Sequence, residues 1–195
     1  MSVKNFTKWS LIPLCCLSLI GCDIVKLDEN GKPIIPMSAE EAASLQNLTP
    51  DVLAERFWGD ILKEAQSGAS VSIKDHHVDG KASEFVRING VVSSVDDSQK
   101  AATMIVTQEQ SEVVVQIGPI IRGNSIRDAV SFINFDDFKN QVQFARLSKE
   151  LNKKAMENFT RPDSSWIGAT VDILAAVTYK GTDVSEVIPL EISKR

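Results

Sequence analysis

Residues 84–118 read EFVRINGVVSSV, then a polar DDSQK, then AATMIVT, a polar QEQS and finally EVVVQIG. The three apolar blocks, 84–95, 101–107 and 112–118, alternate in part and are rich in β-branched residues, which suits a pleated, half-buried surface. Asp96-Asp97-Ser98 and Gln108-Glu109-Gln110-Ser111 carry turn chemistry. The blocks therefore predict a three-stranded meander, and Gly118-Pro119 stops it, because proline has no amide hydrogen for a ladder.

Downstream, a helix is expected to begin near Asn134 or Asp136 and to run to Phe159. It would bury Phe135, Phe138, Val142, Ala145, Leu151, Ala155 and Phe159 and leave Lys149, Lys153 and Glu157 in water. Arg161-Pro162-Asp163 breaks it. Two further strands are predicted at 169–179 and 187–192, with a turn over 181–185. Three strands, one helix and two strands is the order of the OB-fold, a mainly β, α+β architecture. It is a five-stranded barrel with its long helix between strands 3 and 4. A different α+β sandwich would share that order.

Upstream, Thr49-Pro50 predicts a helix start, with threonine as N-cap and proline in the first turn. Val52, Leu53, Phe57, Ile61, Leu62 and Ala65 recur at helical spacing until Gly68. Ser38 and Glu41 have the spacing of a capping box. Residues 38–68 are thus a helical segment packed on an OB-like domain at 69–195. Residues 22–37 hold Asn30-Gly31, Pro33 and Pro36 and read as a tether.

The first 22 residues carry a different message. Lys4 and Lys8 precede an apolar run, WSLIPLCCLSLI, too short to span a bilayer as a helix. The run ends in Leu19-Ile20-Gly21-Cys22, which resembles the lipobox of bacterial lipoproteins. That resemblance implies a signal peptide over 1–21, cleavage before Cys22 and acyl chains on its sulfur, with the lipid bilayer as first partner. Asp23 resembles the aspartate that retains enteric lipoproteins at the periplasmic face of the inner membrane. Cys15 and Cys16 leave with the signal peptide. The one remaining cysteine, Cys22, is lipidated, so no disulfide forms within the mature chain. Removing residues 1–21 takes two lysines and no acid, leaving 19 basic side chains against 26 acidic ones, a balance of −7. This argues against nucleic acid as a partner.

Gly118-Pro-Ile-Ile-Arg-Gly-Asn-Ser-Ile-Arg-Asp128 is the densest polar cluster. Arg122 and Arg127 are fork donors suited to carboxylate or phosphate, and Asp128 could orient one of them. Two readings stand: a ligand or partner contact, or an internal salt-bridge network. Trp58 and Trp166 could stack on a sugar ring or simply fill the core. His76 and His77 are adjacent, and on an extended segment they point to opposite faces, so no metal site and no cofactor are expected. Asp136 and Asp137, also adjacent, suit a first helical turn better than a catalytic pair. With no nucleophile elbow or phosphate loop in the sequence, a non-enzymatic role is expected.

Several stretches together resemble a family of predicted periplasmic lipoproteins. They are Cys22-Asp-Ile-Val-Lys-Leu, Val115-Gln-Ile-Gly-Pro-Ile-Ile-Arg-Gly-Asn-Ser-Ile-Arg-Asp128, Phe132-Ile-Asn-Phe-Asp-Asp-Phe-Lys-Asn-Gln-Val142, Leu151-Asn-Lys-Lys-Ala155 and Val187-Ile-Pro-Leu-Glu-Ile192. Members are commonly encoded beside sugar ABC transporters of the ribose and xylose type. The resemblance implies an accessory of such a permease or its solute-binding protein. The alternatives are a domain that binds a sugar or anion itself and, less expected, a metal-dependent hydrolase.

Overall fold

The computed structural model describes residues 38, 40, 45–70, 73, 79–108 and 111–195. The signal segment, Cys22, Asp23, the tether, Glu41 and the His76-His77 pair lie outside them. Five antiparallel strands form one curled sheet: β1 Lys81–Asp96, β2 Thr103–Gln108, β3 Ser111–Gln116, β4 Thr170–Lys180 and β5 Asp183–Lys194, in the order β3-β2-β1-β4-β5. This is the expected OB-like arrangement. Helices α1 Pro50–Gly68, α2 Ser125–Ala129 and α3 Gln141–Glu157 accompany it.

The 16-residue β1 is the axis of the sheet. Its first part pairs with β4, from Lys81 opposite Lys180 to Val91 opposite Thr170, and its last part pairs with β2, from Val91 to Asp96. The change of partner falls at Val91, beside Gly90, where a Cβ would sit 2.5 Å from the Thr107 carbonyl oxygen and 2.6 Å from a Val106 methyl. A bulge between Val92 and Ser94 follows and adds to the bend. The edge strands β3 and β5 face each other across a slot of about 520 Å³ that includes Glu112, Val114, Val184 and Glu186.

Curling gives the sheet two apolar faces. Val86, Ile88, Met104, Val106, Val115, Ile173, Val177 and Tyr179 fill the inside. Burial, with the nearby Glu84 carboxylate, raises the phenol pKa of Tyr179 well above its usual value. Phe85, Leu174, Ala176, Ile188 and Leu190 face outward and are covered by Leu53, Phe57 and Ile61 of α1 and Leu147 and Leu151 of α3. A strand buried on both faces cannot alternate, which is why DILAAVTY in β4 reads as a nearly continuous apolar run.

The structure corrects several expected boundaries. The helix before β4 starts at Gln141, not at Asn134 or Asp136, because Asn140 caps it: its side chain accepts from the Gln143 amide at 2.9 Å. Phe135–Asp137 is a separate 3-10 turn. Phe135 and Val142, expected inside, are 50% and 59% exposed, and Ala145 is exposed too. At α1, Thr49 stands in the cap position but makes no capping bond. Its hydroxyl serves Asp51 instead and holds that carboxyl below the ordinary range. The turn expected at 181–185 contracts to Gly181-Thr182, with Gly181 at φ 62°. Gly90→Ala should destabilise the fold by about 1–3 kcal/mol through overpacking at the strand crossing; urea unfolding of wild type and variant measures this.

Candidate functional site

The segment between β3 and α2 has almost no regular structure, yet distant groups fix it on every side. The Gln116 side chain grips the backbone of Arg122 twice: its Nε2 donates to the Arg122 carbonyl at 2.9 Å, and its Oε1 accepts from the Arg122 amide at 2.9 Å. Asn152 of α3 donates from Nδ2 to the Gly123 carbonyl at 3.1 Å. Gly123 has φ 107°, and a Cβ there would run into the Glu186 carboxylate. That carboxylate accepts from the Asn124 amide at 3.1 Å and from the Ser125 hydroxyl at 2.9 Å. The chain continues inward, from Ser125 to Thr178 at 2.7 Å and from Thr178 to Ser83 at 2.7 Å. These buried hydroxyls satisfy one another in a face that is otherwise apolar.

The two arginines of this segment divide. Arg127 is 10% exposed in its side chain. Its Nε donates to Asp128 at 2.8 Å, its Nη1 donates to the Phe144 carbonyl at 3.3 Å, and its guanidinium stacks 3.8 Å from the Phe144 ring centre. Lys81 adds a 3.8 Å contact to Asp128. Arg127 and Asp128 thus belong to an internal network that ties α2 to α3 and to β1. Arg122 is exposed, and among the described residues its guanidinium has neither a hydrogen bond nor an ion pair.

Arg122 stands at the rim of a cleft of about 560 Å³ between the 119–124 connection and α3. The α3 side presents Ala145, Ser148, Lys149, Asn152 and Lys153, spaced i, i+3, i+4, i+7, i+8. Sequence reading assigned Lys149 and Lys153 to a solvated face; they are exposed, but they share this cleft with Arg122. The missed signal is that helical spacing, with polar side chains on a stripe beside the Leu147-Leu151 core row.

The tryptophans are not brought together. Trp58 packs against the helix-covered face and Trp166 against the barrel interior, where Lys194 Nζ lies 5.8 Å from its ring centre. Asp136 is exposed, whereas partial burial raises the Asp137 carboxyl above its usual range. Among the described residues no three His, Cys, Asp or Glu side chains could hold one metal ion, and no helix is long and apolar enough to cross a membrane.

A family model described as "Predicted periplasmic lipoprotein (DUF2291)" matches residues 13–193. No curated protein matches the chain. Among solved structures, an OB-fold protein from Thermotoga maritima is similar, with 18% identity and a TM-score of 0.59. The similarity covers 76% of this chain and 99% of that one. At that identity the likeness concerns the fold alone.

Gly123→Ala should lower stability by about 1–3 kcal/mol, since alanine tolerates neither the φ nor the contact with Glu186. Chemical denaturation tests it, and a loss below a few tenths of a kcal/mol would show that Glu186 does not clamp the segment.

Proposed function

Because the chain belongs to the family described as predicted periplasmic lipoproteins, we propose that it is a non-enzymatic accessory of a carbohydrate ABC transporter. Acyl chains on Cys22 anchor it, and Asp23 keeps it at the periplasmic face of the inner membrane. Two or more chains hold a protein stably where one would not. Residues 22–37, with Pro33 and Pro36, give the folded domain reach from the bilayer toward a permease or its solute-binding protein.

The observation that carries this reading is Arg122. A long, charged side chain is shown to solvent with no hydrogen bond or ion pair among the described residues, on a backbone gripped by Gln116 and bracketed by the bonds to Gly123 and Asn124. A cation held on a rigid support loses little backbone freedom when it docks on a carboxylate, which favours affinity. Its fork geometry adds selectivity for a planar acid. The sugar-transport setting rests on the resemblance of the central segment to proteins encoded beside such transporters.

Arg122→Glu should cut recovery of a sugar permease or its binding protein, after crosslinking in membranes, to about a tenth or less. Circular dichroism would show the variant folded, and undiminished recovery with folded protein sinks the docking reading. Cys22→Ser should abolish labelling by a palmitate analogue, and persistent labelling would remove the anchor from the account.

A further inference from the structure

We propose that the cleft between the 119–124 connection and α3 binds a small organic anion carrying hydroxyl groups, the class to which sugar acids and sugar phosphates belong. Two independent features of the cleft select the two halves of such a ligand.

The first is charge. Arg122, Lys149 and Lys153 line one cleft in a chain whose overall charge is −5. Lys149 and Lys153 are four residues apart on one helix face, where like charges repel. Lys153 shares the field of Asp51, but among the described residues neither Arg122 nor Lys149 has a carboxylate partner. An anion between them relieves the repulsion. The apolar wall of Pro119, Ile120 and Ile121 limits competing water on that side.

The second is a pair of polar atoms in the α3 wall. Ser148 is 2% exposed and Asn152 is 5% exposed, and among the described residues Ser148 Oγ and Asn152 Oδ1 have no hydrogen-bond partner. The bond from Asn152 Nδ2 to the Gly123 carbonyl orients the amide, so the remaining oxygen is an acceptor. A bare anion cannot satisfy an acceptor; a ligand hydroxyl can, and the Ser148 hydroxyl can donate or accept beside it. Unpaired buried polar atoms are costly, and a hydroxyl-bearing ligand removes that cost. The site shares Arg122 with the docking reading, but Lys149, Ser148 and Asn152 lie on α3 and can be changed without touching Arg122.

The test uses the full-length lipidated protein in detergent, with gluconate, ribose 5-phosphate, ribose and inorganic phosphate as probes, followed by thermal shift and calorimetry. Gluconate or ribose 5-phosphate should bind saturably, and ribose and phosphate alone should bind much more weakly. Lys149→Glu and the charge-neutral Asn152→Leu should each weaken the anionic polyol by about tenfold or more, the loss expected for one strong polar contact. Lys149→Glu should still recover the transporter partner, which separates this site from docking. No saturable response to either anionic polyol overturns the proposal. So does binding unchanged in folded Lys149→Glu, or inorganic phosphate binding as tightly as ribose 5-phosphate.

Discussion

Strand β1 must serve two neighbours in succession, and the exchange of β4 for β2 falls at Val91, next to Gly90. Val91 stands opposite Thr170 on one side and Thr107 on the other, so three strands converge at one point. A side chain at Gly90 would occupy the space taken by the Thr107 carbonyl and Val106. Without that close approach the sheet could not bend there, and its inner face would lose its own core. The bend creates the second apolar surface on which α1 and α3 lie, and it brings β3 opposite β5.

The site follows from this geometry. Once β3 ends at Gln116, the chain has to return across the barrel end to reach α2, over a face that already holds Thr178 and Ser83. Thr178 and Ser83 already bond to each other, and a polar crossing lets their buried pair extend to a group that reaches Glu186. Ser125 completes their chain and Glu186 terminates it, while Gly123 keeps clear of the carboxylate. The segment is rigid because its polar groups are committed to distant elements: β5 through Glu186, α3 through Asn152, β3 through Gln116. The Arg122 guanidinium is the exception, with no partner among the described residues although its backbone is fixed.

Charge distribution points the same way. An acidic protein keeps itself soluble and apart from other anions. Three cations gathered at one cleft run against that field. Arg127 shows the other use of an arginine in the same eleven-residue stretch, laid on Phe144 and closed by Asp128. Two arginines five positions apart therefore have different roles, separated by which of them reaches a carboxylate.

Local signals in the chain determined a great deal. The three apolar blocks at 84–118 announce the meander, the apolar run ending at Cys22 announces export, and the element order announces the barrel. Each depends on periodicity or turn chemistry over a few residues, which the sequence displays directly. The Asn140 cap was missed, because the acidic Asn134–Phe138 stretch has the composition of a helix start and drew the boundary there. Only the tertiary structure decided which arginine is free, that Trp58 and Trp166 stand on different cores, and that Lys149 and Lys153 share a cleft with Arg122. Those outcomes rest on contacts such as Asn124 to Glu186 and Gly123 to Asn152, between residues far apart in the chain. They rest also on the rotational phase of α3, which is set by packing against α1 and the sheet. No local pattern carries that information, because the phase of a helix is chosen by what it lies on.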